Sequence, residues 1–284
     1  KYQQKSLKVQ KAFEKNALES TQTVDSDIDR LKKLKAKIRP VKNAKVSTLA
    51  KEKTGKTKII PDHPLEALYL KTSKSKTFLA KLKSESLKYK QKAVPTLIKV
   101  MKSKNYPDEN RWIATFMLGR IVGVKSADFI SKFTRHPNWM LRLASLKVLL
   151  HLEQRQYKGI YAKRLEDTSM IVRHQALQNI KELEIKSLAP YVWKMLYNKR
   201  NYVGQKGARK RSNIIKDAIK LVGDLGLEQA KKPMLKMIGK KKYKDVHSEL
   251  DYSLSKLYKK PSPKGTMEVK KVYWNRLALK NVTI

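Results

Sequence analysis

The residues best placed to do chemistry lie in one stretch, Tyr197-Asn-Lys-Arg-Asn-Tyr-Val-Gly-Gln-Lys-Gly-Ala-Arg-Lys-Arg211. Lys199, Arg200, Lys206, Arg209, Lys210 and Arg211 supply positive charge, Tyr197 and Tyr202 offer rings for stacking, and Gly204 and Gly207 let backbone approach a phosphate closely. The chemistry such a set suits is non-covalent capture of an anion. A solvated basic loop in a basic protein would use the same residues. Length favours the binding reading, because long loops inside compact repeats are either functional or disordered.

Groups for covalent chemistry do not assemble in the same way. His63, His136, His151, His174 and His247 are dispersed, without ligand spacing or carboxylate company, so no metal site or general base is expected. The chain lacks cysteine, which removes thiolate chemistry, disulfides and cysteine-bound zinc and leaves the redox compartment open. Thr54-Gly-Lys-Thr57 has the end of a phosphate-binding loop, but Ala50 stands where that loop needs glycine and no strand precedes it. The expectation is a chain that is not an enzyme, with no cofactor and no small-molecule substrate.

Charge says more about the partner. The 284 residues hold 66 Lys plus Arg against 24 Asp plus Glu, a formal net charge of +42. Self-repulsion of that size favours a neutralising partner: nucleic acid, another anionic polymer, or an acidic protein face. Lysines far outnumber arginines, and bidentate reading of phosphate or guanine prefers arginine, so attraction without much sequence discrimination is expected. No run of 18 apolar residues occurs, so no membrane-spanning helix is expected. Lys1 is either a processed end or a boundary. A processed end implies an extracytoplasmic place and an envelope partner, the other a cytoplasmic one.

The elements that must position these groups show themselves in three arginines. Arg111, Arg142 and Arg173 are spaced by 31 residues, and each opens one phrase: Ala114, Ser145 or Ala176 at +3, with Leu118 and Ile121, Leu149 and Leu152, or Ile180 and Leu183 at +7 and +10. This spacing lays an apolar stripe on a helix, and its recurrence marks stacked helix pairs. A fourth copy, Ala218 with Val222 and Leu225, comes 42 residues after Ala176, so the basic stretch above is an insertion. Ser253, Leu254 and Leu257 give a last, weaker copy.

Caps and stripes together predict first helices near 76–90, from Pro107-Asp108 to Gly119 or Gly123, from Pro137 to Leu152, and from Thr168 or Ser169 to Leu183. Second helices are expected at Ala93–Met101, Ser126–Phe133, Arg155–Leu165, Ser187–Leu196 and Gln229–Ile238. Three regions result. Residues 1–62 form a basic, partly extended N-terminal arm with one or two helices, near 5–19 and 25–39; 63–260 form the stack; 261–284 form a C-terminal cap or tail.

The Arg-x-x-Ala phrase in first helices, with Pro95, Pro190 and Pro233 early in second helices, resembles short HEAT-type repeats across roughly residues 76–260. The resemblance implies an all-α fold, an α-solenoid of about five helix pairs, and a binding scaffold whose second helices line a concave wall. Here those helices carry Lys99, Lys102, Lys132, Arg135, Lys163, Arg164, Lys194, Lys231, Lys232, Lys236 and Lys240. The polyanion-binding set is therefore expected to join the loop residues to Lys163, Arg164, Lys194, Lys232 and Lys236. Two alternatives stand beside this scaffold. One is a structural subunit of a large assembly, its arm ordering on neighbouring subunits. The other is a HEAT-like DNA glycosylase, which would need Asp128 or Asp167 open beside two of Trp112, Trp139 and Trp193; tryptophan at helical spacing is more often core.

Overall fold

A computed structural model describes residues 61–73, 75–203 and 210–280. The N-terminal arm, its two expected helices and the glycine-rich centre of the insertion lie outside the described residues. Helices and short 3₁₀ turns make up most of the described residues, and the strands among them form a single ribbon of two residues each. In chain order the helices are α1 (Pro64–Leu70), α2 (Lys76–Tyr89), α3 (Val94–Lys102), α4 (Asp108–Val122), α5 (Ala127–Lys132), α6 (Trp139–His151), α7 (Lys158–Arg164), α8 (Met170–Glu182), α9 (Ala189–Lys194), α10 (Asn213–Asp224), α11 (Lys231–Ile238), α12 (His247–Tyr258) and α13 (Met267–Lys280). Short 3₁₀ turns lead into most of the shorter helices. Strands β1 (Tyr202–Val203) and β2 (Lys210–Arg211) pair antiparallel, Tyr202 opposite Arg211.

Long and short helices alternate from α2 to α12. Each long helix packs on the next long one, α2 on α4, α4 on α6, α6 on α8, and α10 on α12, with a thinner contact between α8 and α10 where the insertion intervenes. Each short helix packs against the long helix that follows it. The stripe read from the arginines is the seam of this arrangement: Ala114, Ser145, Leu149, Ala176, Ile180, Ala218 and Val222 are all buried. Each large side chain so buried contributes about 1.5–3 kcal/mol. Helix α6 serves two apolar clusters, giving Val148 to the N-terminal one and Leu143, Leu146 and Leu149 to the C-terminal one. Close helix approach is built on small residues: a Cβ at Gly223 would meet Ser253 backbone at 2.7 Å, and one at Gly119 would meet Val148 at 2.4 Å.

Helix α1 was not foreseen as an element. Pro64 opens it and the His63 ring accepts the Leu65 N–H at 3.1 Å. Its Glu66 is buried and accepts from Tyr106 at 2.5 Å and from Lys99 at 2.8 Å, which fixes α1 on the first repeat.

Four long helices end alike. The N–H groups of Glu153, Glu184, Gly226 and Lys259 donate three residues back, and those of the next residues, Gln154, Ile185, Leu227 and Lys260, donate five back. This closure needs a left-handed residue, and φ is +53°, +50°, +73° and +52° respectively. Only Gly226 has the residue type that adopts this without a Cβ clash. Glu184 is exposed and its side chain anchors nothing in the turn. Glu184→Gly is therefore expected to raise stability by about 0.5–1 kcal/mol in urea unfolding, the strain relieved slightly exceeding the added freedom of the unfolded chain. An unchanged or lower midpoint would show that the turn is unstrained.

Candidate polyanion-binding surface

The arginines that mark the repeat are not surface groups. Arg111, Arg142 and Arg173 are all buried, at 2, 7 and 2 % exposure, and each reaches the turn before the next unit. Arg142 donates through Nε and Nη2 to both carboxylate oxygens of Asp167, at 2.8 and 2.7 Å, and through Nη1 to the carbonyls of His136 and Pro137. Arg173 repeats this one unit on: Nη1 donates to the carbonyls of Asp167 and Thr168, Nε to Asn201 Oδ1 at 2.8 Å, and Nη2 to the Arg200 carbonyl at 2.9 Å. Arg111 donates to the Met101 carbonyl and places Nη2 3.1 Å from His136 Nε2. His136 and Asp167 each lie six residues before the following arginine. Planar forks with several donors suit this bridging, which a lysine cannot copy.

Arg173 thereby positions the start of the insertion. Asn201 is fully buried; besides taking Arg173 it donates through Nδ2 to the Met195 carbonyl, and its own carbonyl accepts the N–H and hydroxyl of Ser212. Asn198 caps the turn by accepting the Arg200 N–H at 3.0 Å. The insertion, expected as a loop, is thus hydrogen-bonded at both ends and tied by β1 and β2. Burial depresses the Arg173 guanidinium below its ordinary value, Arg200 adding to the effect, since no carboxylate accepts from it.

On this frame the predicted site residues divide. Tyr202 is half buried and its hydroxyl donates to the Leu196 carbonyl at 2.6 Å. The Arg211 guanidinium is engaged with Asp245 at 2.7 Å and lies 4.7 Å from the centre of the Tyr243 ring. Arg164 is held by Asp167 at 2.9 Å. These three stabilise the fold and offer an anion little. Arg200 is exposed yet leans on the Glu166 carbonyl at 3.3 Å. Lys163, Lys194, Lys199, Lys232 and Lys236 are exposed, with no carboxylate within ion-pair reach among the described residues. Lys206 and Arg209 lie outside the described residues, as does the side chain of Lys210. Of the remaining second-helix lysines, Lys99 is spent on Glu66 and Asp62, and Lys231 on Glu228.

Lys194 and Lys199 stand in an aromatic setting that the sequence only half disclosed. A shallow cleft is lined by Leu196, Tyr197, Lys199 and Tyr202. Tyr197 is 69 % exposed and Trp193 meets it edge to face at 6.3 Å, while Tyr191, 47 % exposed, sits 5.4 Å below the Lys194 ammonium. Tyr191 was missed because its place on α9 reads as ordinary helical pattern. Asn201 was missed because the 31-residue step from His136 and Asp167 points to Asn198, and the short turn at 199–201 shifts the partner by three.

The carboxylates that a glycosylase would need are occupied. Asp167 is buried among Arg142, Arg164 and the Ser169 N–H, and Asp128 accepts the Tyr157 hydroxyl. Trp112, Trp139 and Trp193 are each partly buried in the apolar clusters or against them. No helix among the described residues is long and apolar enough to cross a membrane, and no group of three potential metal-ligating side chains occurs among them.

No protein-family model matches the chain, and no curated protein matches it. Among solved structures it is similar to the complex of CpcE and CpcF of phycocyanin lyase from Nostoc sp. PCC7120, at 13 % identity and a TM-score of 0.40, over 83 % of this chain and 100 % of that one. That complex is described as one of a lyase, and the expectation that this chain is not an enzyme is withdrawn. The described residues have an all-α, helical repeat-like structure.

Proposed function

We propose that the chain is a HEAT-like scaffold, five helix pairs from α2 to α11 closed by α12 and α13, that docks an acidic macromolecule on exposed lysines of its second helices and at the insertion. The observation that carries this is the set of cations without a carboxylate partner: Lys163, Lys194, Lys199, Lys232 and Lys236 are exposed, with no carboxylate in ion-pair reach among the described residues. Four buried carboxylates, Glu66, Asp167, Glu249 and Asp251, are nearly matched by three buried arginines, Arg111, Arg142 and Arg173, so folding leaves the surface about as cationic as the composition. In this reading α13 covers the last pair: Trp274 is fully buried, and its indole N–H donates to Asp251 at 2.8 Å.

Titration of the full chain with duplex DNA, single-stranded DNA, heparin and polyglutamate across a salt series tests the proposal. Affinity should fall linearly on logarithmic axes, with a slope of about −0.7 to −0.9 per phosphate neutralised. Binding that ignores salt, or no binding to any of the four, would overturn it. Polyglutamate displacing nucleic acid at matched charge would point instead to an acidic protein neighbour in an assembly, the partner that the exposed Val269 and Val272 on α13 would suit.

A further inference from the structure

Within the polyanion reading, on which this step rests, we infer that the cleft between Tyr197 and Tyr202 is a site for an unstacked nucleobase of a single strand, whose flanking phosphates meet Lys199 and Lys194. Tyr197 presents most of its ring to solvent, leaving a face for a planar guest to cover. The Trp193 ring stands against its edge. Tyr202, which also lines the cleft, is pinned through its hydroxyl to the Leu196 carbonyl, and the Asn198–Tyr202 backbone is held from inside by Arg173 and Asn201. A shallow cleft lined by two tyrosines and a lysine offers the ring face and the cation that an unstacked base and its phosphate require.

Other polyanions fit less well. A duplex keeps its base faces stacked inside, so it can use the lysines and not the rings. Acidic peptides and sulfated polysaccharides bring charge without planar faces. The cleft thus adds single-strand preference to an attraction that is otherwise indifferent to the kind of anion.

The test compares the parent chain with Tyr197→Ala, Tyr197→Phe and Lys199→Gln, using an oligo(dT), a duplex of equal length and heparin. Tyr197 is exposed, so thermal melting should show the variants folded. Tyr197→Ala should weaken oligo(dT) binding about tenfold while duplex and heparin affinities stay within about twofold, and Tyr197→Phe should keep the parent's affinity. Lys199→Gln should flatten the single-strand salt slope by about 0.7. Unchanged oligo(dT) affinity in Tyr197→Ala, with all three polymers still bound, would sink the cleft assignment and leave the scaffold proposal standing. Equal losses for heparin and oligo(dT) would also sink it, as they would show a generic anion patch. Failure of the parent chain to bind any polymer at low salt would remove both.

Discussion

Asp167→Ala is expected to lower the stability of the fold by about 3–5 kcal/mol, the usual consequence of leaving a buried charge without its partner. Arg142 would keep its two backbone acceptors but lose both carboxylate oxygens, and its side chain is only 8 % exposed. The Ser169 N–H, which opens α8, would lose the same acceptor. Urea unfolding measures the loss, and a change below about 1 kcal/mol would mean that this bridge behaves like a surface pair. Acid adds an independent readout. Burial pushes the Asp167 carboxyl up, but the Arg142 hydrogen bonds, the Ser169 N–H and the charges of Arg142 and Arg164 outweigh it, leaving it below its ordinary 3.8. A group depressed on folding contributes fully above its unfolded value and loses that contribution as pH falls through its folded value. The parent should therefore lose this part of its stability from about pH 4 downward, while the alanine variant, lacking it at neutral pH, should show a flatter acid limb.

The helices were legible because their signals are local. The stripe at +3 and +7, the prolines at first turns and the polar caps all act within one or two turns of chain, so Pro107 and Ser169 do stand directly before α4 and α8, and Pro137 stands one residue before the Asn138 that caps α6. The role of the repeated arginine was not legible. A guanidinium opening an apolar stripe reads equally as a snorkelling surface group, and only the partner 25 or 28 residues onward shows it to be a bridge. The same limit applies to the site. Lysine positions on second helices could be read from the pattern, but Arg211 pairs with Asp245, which only the fold brings near, while the Asp167 that holds Arg164 stands three residues on in the chain. The ribbon closing the insertion escaped notice because two residues per strand leave no alternation to read.

Arg173→Lys provides the sharper separation of charge from geometry, because it keeps the net charge at +42 and removes only the fork. Four acceptors converge on this guanidinium, from Asn201, Asp167, Thr168 and Arg200, and an ammonium has three donors on one point and cannot span them. At least one buried acceptor would be left unsatisfied and a compact, strongly hydrated cation would be placed where no carboxylate stands. A loss of about 2–4 kcal/mol follows, read by thermal or urea unfolding. The loss should also reach the surface. Arg173 fixes the carbonyl of Arg200 and the side chain of Asn201, and these set the backbone that carries Lys199 and Tyr202. Under conditions where the variant remains folded, its oligo(dT) affinity should fall although every exposed lysine is intact, with heparin affinity held near the parent's. A view in which lysine density alone attracts the guest predicts no change in either. Equal retention of both affinities by a folded Arg173→Lys would favour that view, and a selective loss would mean that the buried arginine ladder shapes what the surface can grip.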